Sequence, residues 1–111
     1  MAQLLVLTFR DTMVALIRRN GRELTIRQFA AFLVCYIEPQ PQTVRGLAAT
    51  LNIGTQAISH ALNGLCVFGL VRRELDPQDR RSVLVQRTAK GRALMRELRA
   101  ILLAGIGSAS G

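Results

Sequence analysis

The stretch LAATLNIGTQAISHAL, residues 47–62, restricts the fold of this chain more than any other. Small Ala48 is followed four residues later by Asn52, and six residues after that by Ile58. Two helices that cross at a tight turn need a small residue at the crossing. They also need Gly or Asn where the backbone goes left-handed, and a branched apolar residue where the second helix packs back. The three requirements are met in order, which predicts a helix-turn-helix. Thr43 caps the first helix, Val44 to Leu51, whose inner face is Leu47, Ala48 and Leu51. Ile58, Ala61, Leu62 and Leu65 form the inner stripe of the second. Its outer face is Thr55, Gln56, Ser59, His60 and Asn63, all short or hydrogen-bonding and none acidic. An ordinary surface helix mixes in Glu and Lys. Donors and acceptors free of carboxylates suit base edges in a DNA groove better.

The charge balance points the same way. Fifteen Lys plus Arg stand against seven Asp plus Glu, for a formal charge of +8, and all but one of the fifteen are arginine. The planar guanidinium fork matches phosphate and guanine edges, so an arginine-rich chain suits an anionic partner. At 111 residues there is room for one domain, 1–111, with its own core. Half of the residues are hydrophobic and only 5% aromatic, with no Trp, so the core is aliphatic and favours helix packed on helix.

Residues 3–20 read as a helix with apolar side chains on nearly every side, from Leu4 through Ile17. Such a helix needs cover on more than one face, and a second copy of the chain is the economical source. Asn20-Gly21 suits a left-handed cap at its end. Thr25 and Gln28 form a capping box for the next helix, whose buried stripe is Phe29, Phe32, Leu33, Tyr36 and Ile37. Pro39 and Pro41 stop it. No window reaches about 18 apolar residues, so no membrane span is expected and the compartment reads as cytoplasmic. Cys35 and Cys66 have neither CxxC nor metal spacing and read as small buried hydrophobes. His60 is the sole histidine, so no metal site, cofactor or catalytic pair is expected.

After Phe68, Gly69 is suited to a helix C-terminus. LVRREL and RSVLVQR then read as two strands joined by DPQD. A helix-turn-helix followed at once by a basic-tipped hairpin is a winged helix. Arg80 and Arg81 lie where the wing reaches DNA, with Asp76 and Asp79 placed to brace one of them in a charge-assisted fork.

From Leu24 to Leu98 the sequence resembles the MarR family of bacterial transcription regulators. The most specific parts are GLVRR…DPxDRR across the wing and the T-x-x-G of Thr88 to Gly91, which opens a long helix. The resemblance implies a homodimer on palindromic double-stranded DNA, recognition helix in the major groove and wing in the minor groove. By position, Thr55, Gln56, Ser59, His60 and Asn63 face bases or phosphates. Arg80 is the wing-tip arginine and Arg81 its braced neighbour; Thr43 and Arg73 complete the expected DNA-binding set. This sequence departs from the family at His60, where the recognition helix tends to be basic. It departs again at LLAGIGSASG, where the family usually continues into another dimerisation helix.

The expected architecture is therefore mainly α with a small β-hairpin wing. Residues 24–87 form the DNA-binding core, the helices 3–20 and 89–104 dimerise, and 105–111 form a flexible tail. The expected role is a sequence-specific DNA-binding regulator, a repressor rather than an enzyme, with no small-molecule effector assigned. A winged-helix protein-interaction module, such as an antirepressor, and a non-specific basic DNA-binding protein are the alternatives.

Overall fold

The computed structural model describes residues 1–19, 21 and 23–110, with side chains to Ile106. Five helices and three short strands follow one another as α1 (Ala2–Arg18), α2 (Ile26–Ile37), β1 (Gln42–Thr43), α3 (Val44–Leu51), α4 (Thr55–Val67), β2 (Val71–Asp76), β3 (Asp79–Arg87) and α5 (Ala89–Ser110). They form two compact units. One is Leu24–Arg92; the other joins Met1–Glu23 to Ala93–Gly111. No helix among the described residues is long and apolar enough to cross a membrane.

The Leu24–Arg92 unit is a winged helix. Both halves of the predicted capping box start α2: the Thr25 hydroxyl accepts from the Gln28 N–H, and the Gln28 side chain accepts from the Thr25 N–H. Of the expected stripe, Phe32 and Tyr36 are buried, with ring centroids 4.6 Å apart. Ile37 is a correction: it sits at the last helical position, next to the proline-stopped end, and is 64% exposed. Ala31 and Cys35 take up the buried side instead.

α3 begins at Thr43, whose hydroxyl accepts the Gly46 N–H at 2.9 Å. It ends at Asn52, the one non-glycine residue with positive φ (55°) among those described, and the Asn52 N–H bonds back to Ala48 and Ala49. The left-handed turn read from the sequence is thus where Asn52 stands. Ile58, Ala61, Leu62 and Leu65 are buried along α4, as their spacing predicts. At its end Gly69 (φ +75°) donates to the Cys66 carbonyl while Leu70 donates to Leu65, a six-residue Schellman closure that reverses the chain into β2.

The wing is more than the predicted hairpin. β1 adds a third strand, in the order β1-β3-β2, with Gln42 opposite Val85 and Thr43 opposite Leu84. The reason lies in the two prolines before it, which keep the chain extended along the β3 edge. Between β2 and β3 only Pro77 and Gln78 turn, with a register shift between Leu75 and Asp76.

In the other unit the buried residues of α1 are Thr8 and Thr12, not its apolar side chains. Thr12 turns its hydroxyl back to the Thr8 carbonyl at 2.7 Å, so the buried Thr12 hydroxyl has a partner. From the α5 side come buried Leu94, Met95 and Leu98, and Arg19 pairs with Glu97 at 2.9 Å. Gly105 faces Thr8 with room for a methyl group: a Cβ there would stand 3.5 Å from Thr8 Cγ2, an ordinary contact. The apolar pattern of α5 predicts an end near 104, yet the helix continues to Ser110. Gly111 lies outside the described residues, as does Asn20 of the expected Asn20-Gly21 cap; α1 ends at Arg18 with Arg19 extended (φ −65°, ψ 150°).

Candidate nucleic-acid interface

α4 turns its buried stripe into the core and so has no choice about its opposite face. Thr55, Gln56, His60 and Asn63 are exposed there, and Ser59 is half-buried. Gly54 precedes the helix and supplies no side-chain cap, so the first-turn N–H groups have no side-chain acceptor. A phosphate oxygen suits that position, since free N–H groups and the helix dipole both favour an anion.

The wing brings one cation, Arg73, onto this face and carries two more near its tip. Arg73 on β2 is exposed and donates from Nη2 to the Asn63 carbonyl oxygen, joining the wing to α4. Arg80 and Arg81 follow the turn on β3 and are exposed. Of the expected bracing only a loose form is present: Arg81 pairs with Asp79 through Nε alone, and Asp76 pairs with neither arginine among the described residues. Asp76 instead accepts the Gln78 N–H at 2.9 Å, and Asp79 accepts the Arg81 N–H at 3.1 Å and the Ser82 hydroxyl at 3.2 Å. Arg81 Nε stands 3.6 Å from Asp79, and its side chain is 88% exposed. A two-residue turn places each aspartate over its own backbone, so the acids chiefly shape the loop, and Asp79 holds the Arg81 guanidinium only loosely. Both arginines therefore extend into solvent.

Thr43 is half-buried and its hydroxyl oxygen is occupied by the α3 cap. It sets the angle at which α3 enters the turn. Arg45, exposed in the first turn of α3, is a cation that the sequence reading passes over. Nothing in its spacing separates it from other surface arginines.

Behind the interface lies a set of hydrogen bonds that pattern reading also misses. The Tyr36 hydroxyl donates to the Leu70 carbonyl at 2.6 Å and accepts the Thr88 N–H at 2.9 Å. The Thr88 hydroxyl donates to the Gly69 carbonyl at 2.7 Å and accepts the Gly91 N–H at 3.0 Å, which caps α5. Arg87 lies over the Tyr36 ring and donates to the Cys35 and Glu38 carbonyls. The ends of α2, α4 and β3 and the start of α5 are thereby tied at one point.

Burial pushes the Cys35 thiol up to about 11, against a smaller downward pull from Arg87. It stays a thiol at neutral pH, and the thiolate is the reactive form. Cys66 is half-buried on α4. Among the described residues no group of three or more His, Cys, Asp or Glu side chains is placed to hold a metal ion. Treatment with peroxide or a thiol blocker is expected to leave DNA affinity of the folded protein unchanged. Loss of binding that a reductant restores, measured by fluorescence anisotropy, would revive a sensor role, most directly through Cys66.

Residues 12–82 match the model of the MarR family. The chain belongs to the MarR family. Solved structures agree. A MarR-family transcriptional regulator from Rhodococcus sp. RHA1 is 26% identical with a TM-score of 0.67, over 96% of this chain and 70% of that one. The transcriptional regulator BldR from Sulfolobus solfataricus is 32% identical with a TM-score of 0.63, over 77% of this chain and 60% of that one. FabT from Streptococcus pneumoniae, solved in complex with DNA, has a TM-score of 0.75 over 93% of this chain and 70% of that one; at 23% identity it shows the shared fold alone. No curated protein matches. The GLVRR…DPxDRR and T-x-x-G motifs of this MarR-family chain can now be given physical jobs. Gly69 supplies the positive φ that ends α4, the two aspartates fold the wing turn, and Thr88 with Gly91 docks the start of α5.

Proposed function

We propose that the protein is a transcription regulator that binds double-stranded DNA sequence-specifically as a homodimer. The observation that carries this reading is the exposed, polar, carboxylate-free face of α4 next to a wing whose arginines extend into solvent. Thr55, Gln56, Ser59, His60 and Asn63 meet base edges or phosphates in the major groove, and Arg80 and Arg81 meet the minor groove or the backbone. Repression is the sign of regulation we favour, because a dimer seated across a palindrome excludes other proteins from the same DNA.

Selection of bound fragments from random-sequence duplexes in about 150 mM salt tests specificity, because non-specific phosphate binding fades steeply with salt. A palindromic consensus is the expected outcome. Recovery of no consensus would overturn the reading in favour of a non-specific basic protein.

The dimer rests on a second observation. In the unit built from both chain ends, Leu4, Leu5, Val6, Phe9 and Ile17 of α1 and Leu103 and Ile106 of α5 are between 45% and 69% exposed. That much apolar side chain in one small unit is costly to leave in water. Light scattering at tens of micromolar is expected to give twice the monomer mass, and half-sites are expected about 34–36 Å apart. A monomer at that concentration would count decisively against the homodimer.

A further inference from the structure

Asn63 and Arg73 are both exposed, yet they are not independent. Val71, Arg73 and Leu75 share one face of β2, since successive side chains alternate. Val71 and the Arg73 partner Val85 are buried on that face. Arg73 is thus the first residue past the edge of the core, and its guanidinium crosses to the third turn of α4 to meet the Asn63 carbonyl oxygen. Competing acids are elsewhere. Glu74 is on the other sheet face, bonded to Gln86, and α4 has no carboxylate. Among the described residues Arg73 forms no ion pair.

An asparagine that reads adenine uses both ends of its amide, accepting from N6–H and donating to N7. Here the accepting end is already engaged by a cation. Rotating the amide to free the oxygen would set its NH2 against the guanidinium, donor against donor. What the pair turns outward is the amide NH2 and the unused guanidinium N–H groups. We propose that Arg73 is a positioning residue that fixes the Asn63 amide with its oxygen toward the wing, so that the pair presents chiefly donors and favours an acceptor-only edge. That edge is guanine N7 and O6 or a phosphate oxygen, in place of the two-way adenine contact. This rests on the DNA-binding reading above and adds to it which chemistry the last turn of the reading face accepts.

The test uses the full chain and the duplex selected by the unmodified protein in about 150 mM salt. Asn63→Ala, Arg73→Ala and the double variant are each expected to weaken binding about tenfold to a hundredfold, with the double variant no weaker than either single one. Arg73→Lys keeps the charge but not the fork, and is expected to recover only part of the loss. Thermal stability of all four is expected to match the parent, because an exposed pair contributes little to folding. Duplexes with 7-deazaguanine at single positions, or with single methylphosphonate linkages, then separate the sources. A guanine contact appears as one 7-deazaguanine position to which the parent is sensitive and the variants are not; a phosphate contact appears as one such linkage. A selected site in which Asn63 specifies adenine overturns the proposal. So does an Arg73→Ala variant that binds like the parent while Asn63→Ala does not, or losses that simply add. If the parent selects no sequence at all, the DNA-regulator reading itself falls and this proposal falls with it.

Discussion

Gly91→Ala is expected to destabilise the protein by about 3–5 kcal/mol. A Cβ at Gly91 would overlap both the Tyr36 hydroxyl and the backbone carbonyl of Leu70. The hydroxyl is a side-chain tip but not a free one: it is 5% exposed at the residue level and bonded to Leu70 and Thr88. The carbonyl is backbone, on the residue whose N–H closes the Schellman turn of α4 onto Leu65, so it cannot swing aside as a side-chain tip can. Overpacking costs about 1–3 kcal/mol, and each buried polar group left without a partner costs about 1–3 kcal/mol more. Against the roughly 5–15 kcal/mol of a typical domain, this is a large fraction of the total. Tyr36→Phe, which deletes the hydroxyl, is expected to cost about 2–4 kcal/mol through the same two bonds. Combined with Gly91→Ala it should lose less than the sum, since removing the oxygen relieves one of the two overlaps while the Leu70 carbonyl still obstructs. Urea denaturation of the three variants measures all of this. A Gly91→Ala variant within about 1 kcal/mol of the parent would show that the close approach at this point is not what holds the glycine there.

Gly64 is a milder case of the same kind. A Cβ there would meet the Gln28 side-chain nitrogen, the end of a flexible side chain that can move aside. What is lost is the reciprocal half of the α2 capping box, so Gly64→Ala is expected to cost only about 0.5–2 kcal/mol.

These two glycines mark where sequence reasoning stops. The turn at Asn52, the Thr25–Gln28 box, the inner stripe of α4 and the left-handed Gly69 are all local, set by residues a few positions apart. Helical periodicity and capping chemistry express them directly. The approach of Gly91 to Tyr36 spans 55 positions, and nothing local marks Tyr36 as more than another buried aromatic. The β1 strand was hidden for a related reason: two residues carry no alternation to detect, and only their pairing with Val85 and Leu84 defines them. In the candidate interface, the outer face of α4 was legible because it is the complement of an apolar stripe. The wing aspartates were legible as residue types but not as contacts. How closely an acid holds a guanidinium depends on turn length; the two-residue turn gives the short bonds to the backbone and leaves Asp79 a looser ion pair with Arg81.

That difference changes what the wing arginines are expected to do. A braced Arg81 would stiffen the wing, and its loss would lower thermal stability. The observed Arg81 is 88% exposed and 3.6 Å from Asp79, a surface contact contributing little, so Arg81→Ala is expected to leave thermal stability where it was. The Arg80 and Arg81 side chains are both exposed, and under the proposed DNA-binding role both are expected to act through charge and groove potential rather than base identity, because the minor groove barely separates A·T from T·A. Arg80→Ala is expected to weaken binding to all sequences and to lower the slope of log affinity against log salt by about 1. Gln56→Ala and Ser59→Ala should behave otherwise. Each removes a donor and acceptor from the outer face of α4, costing about 1–3 kcal/mol on the selected site and much less on random DNA, with little change in salt slope. Changing both is expected to cost about 2–6 kcal/mol on that site, enough to bring it to the level of non-specific binding. Anisotropy titrations of the variants on two duplexes at three salt concentrations separate the two patterns. Equal losses on every sequence for wing and helix variants alike would leave no base reading at α4, and the protein would then be a non-specific DNA binder. If none of the variants changes DNA affinity, the exposed face of α4 belongs to a protein partner instead.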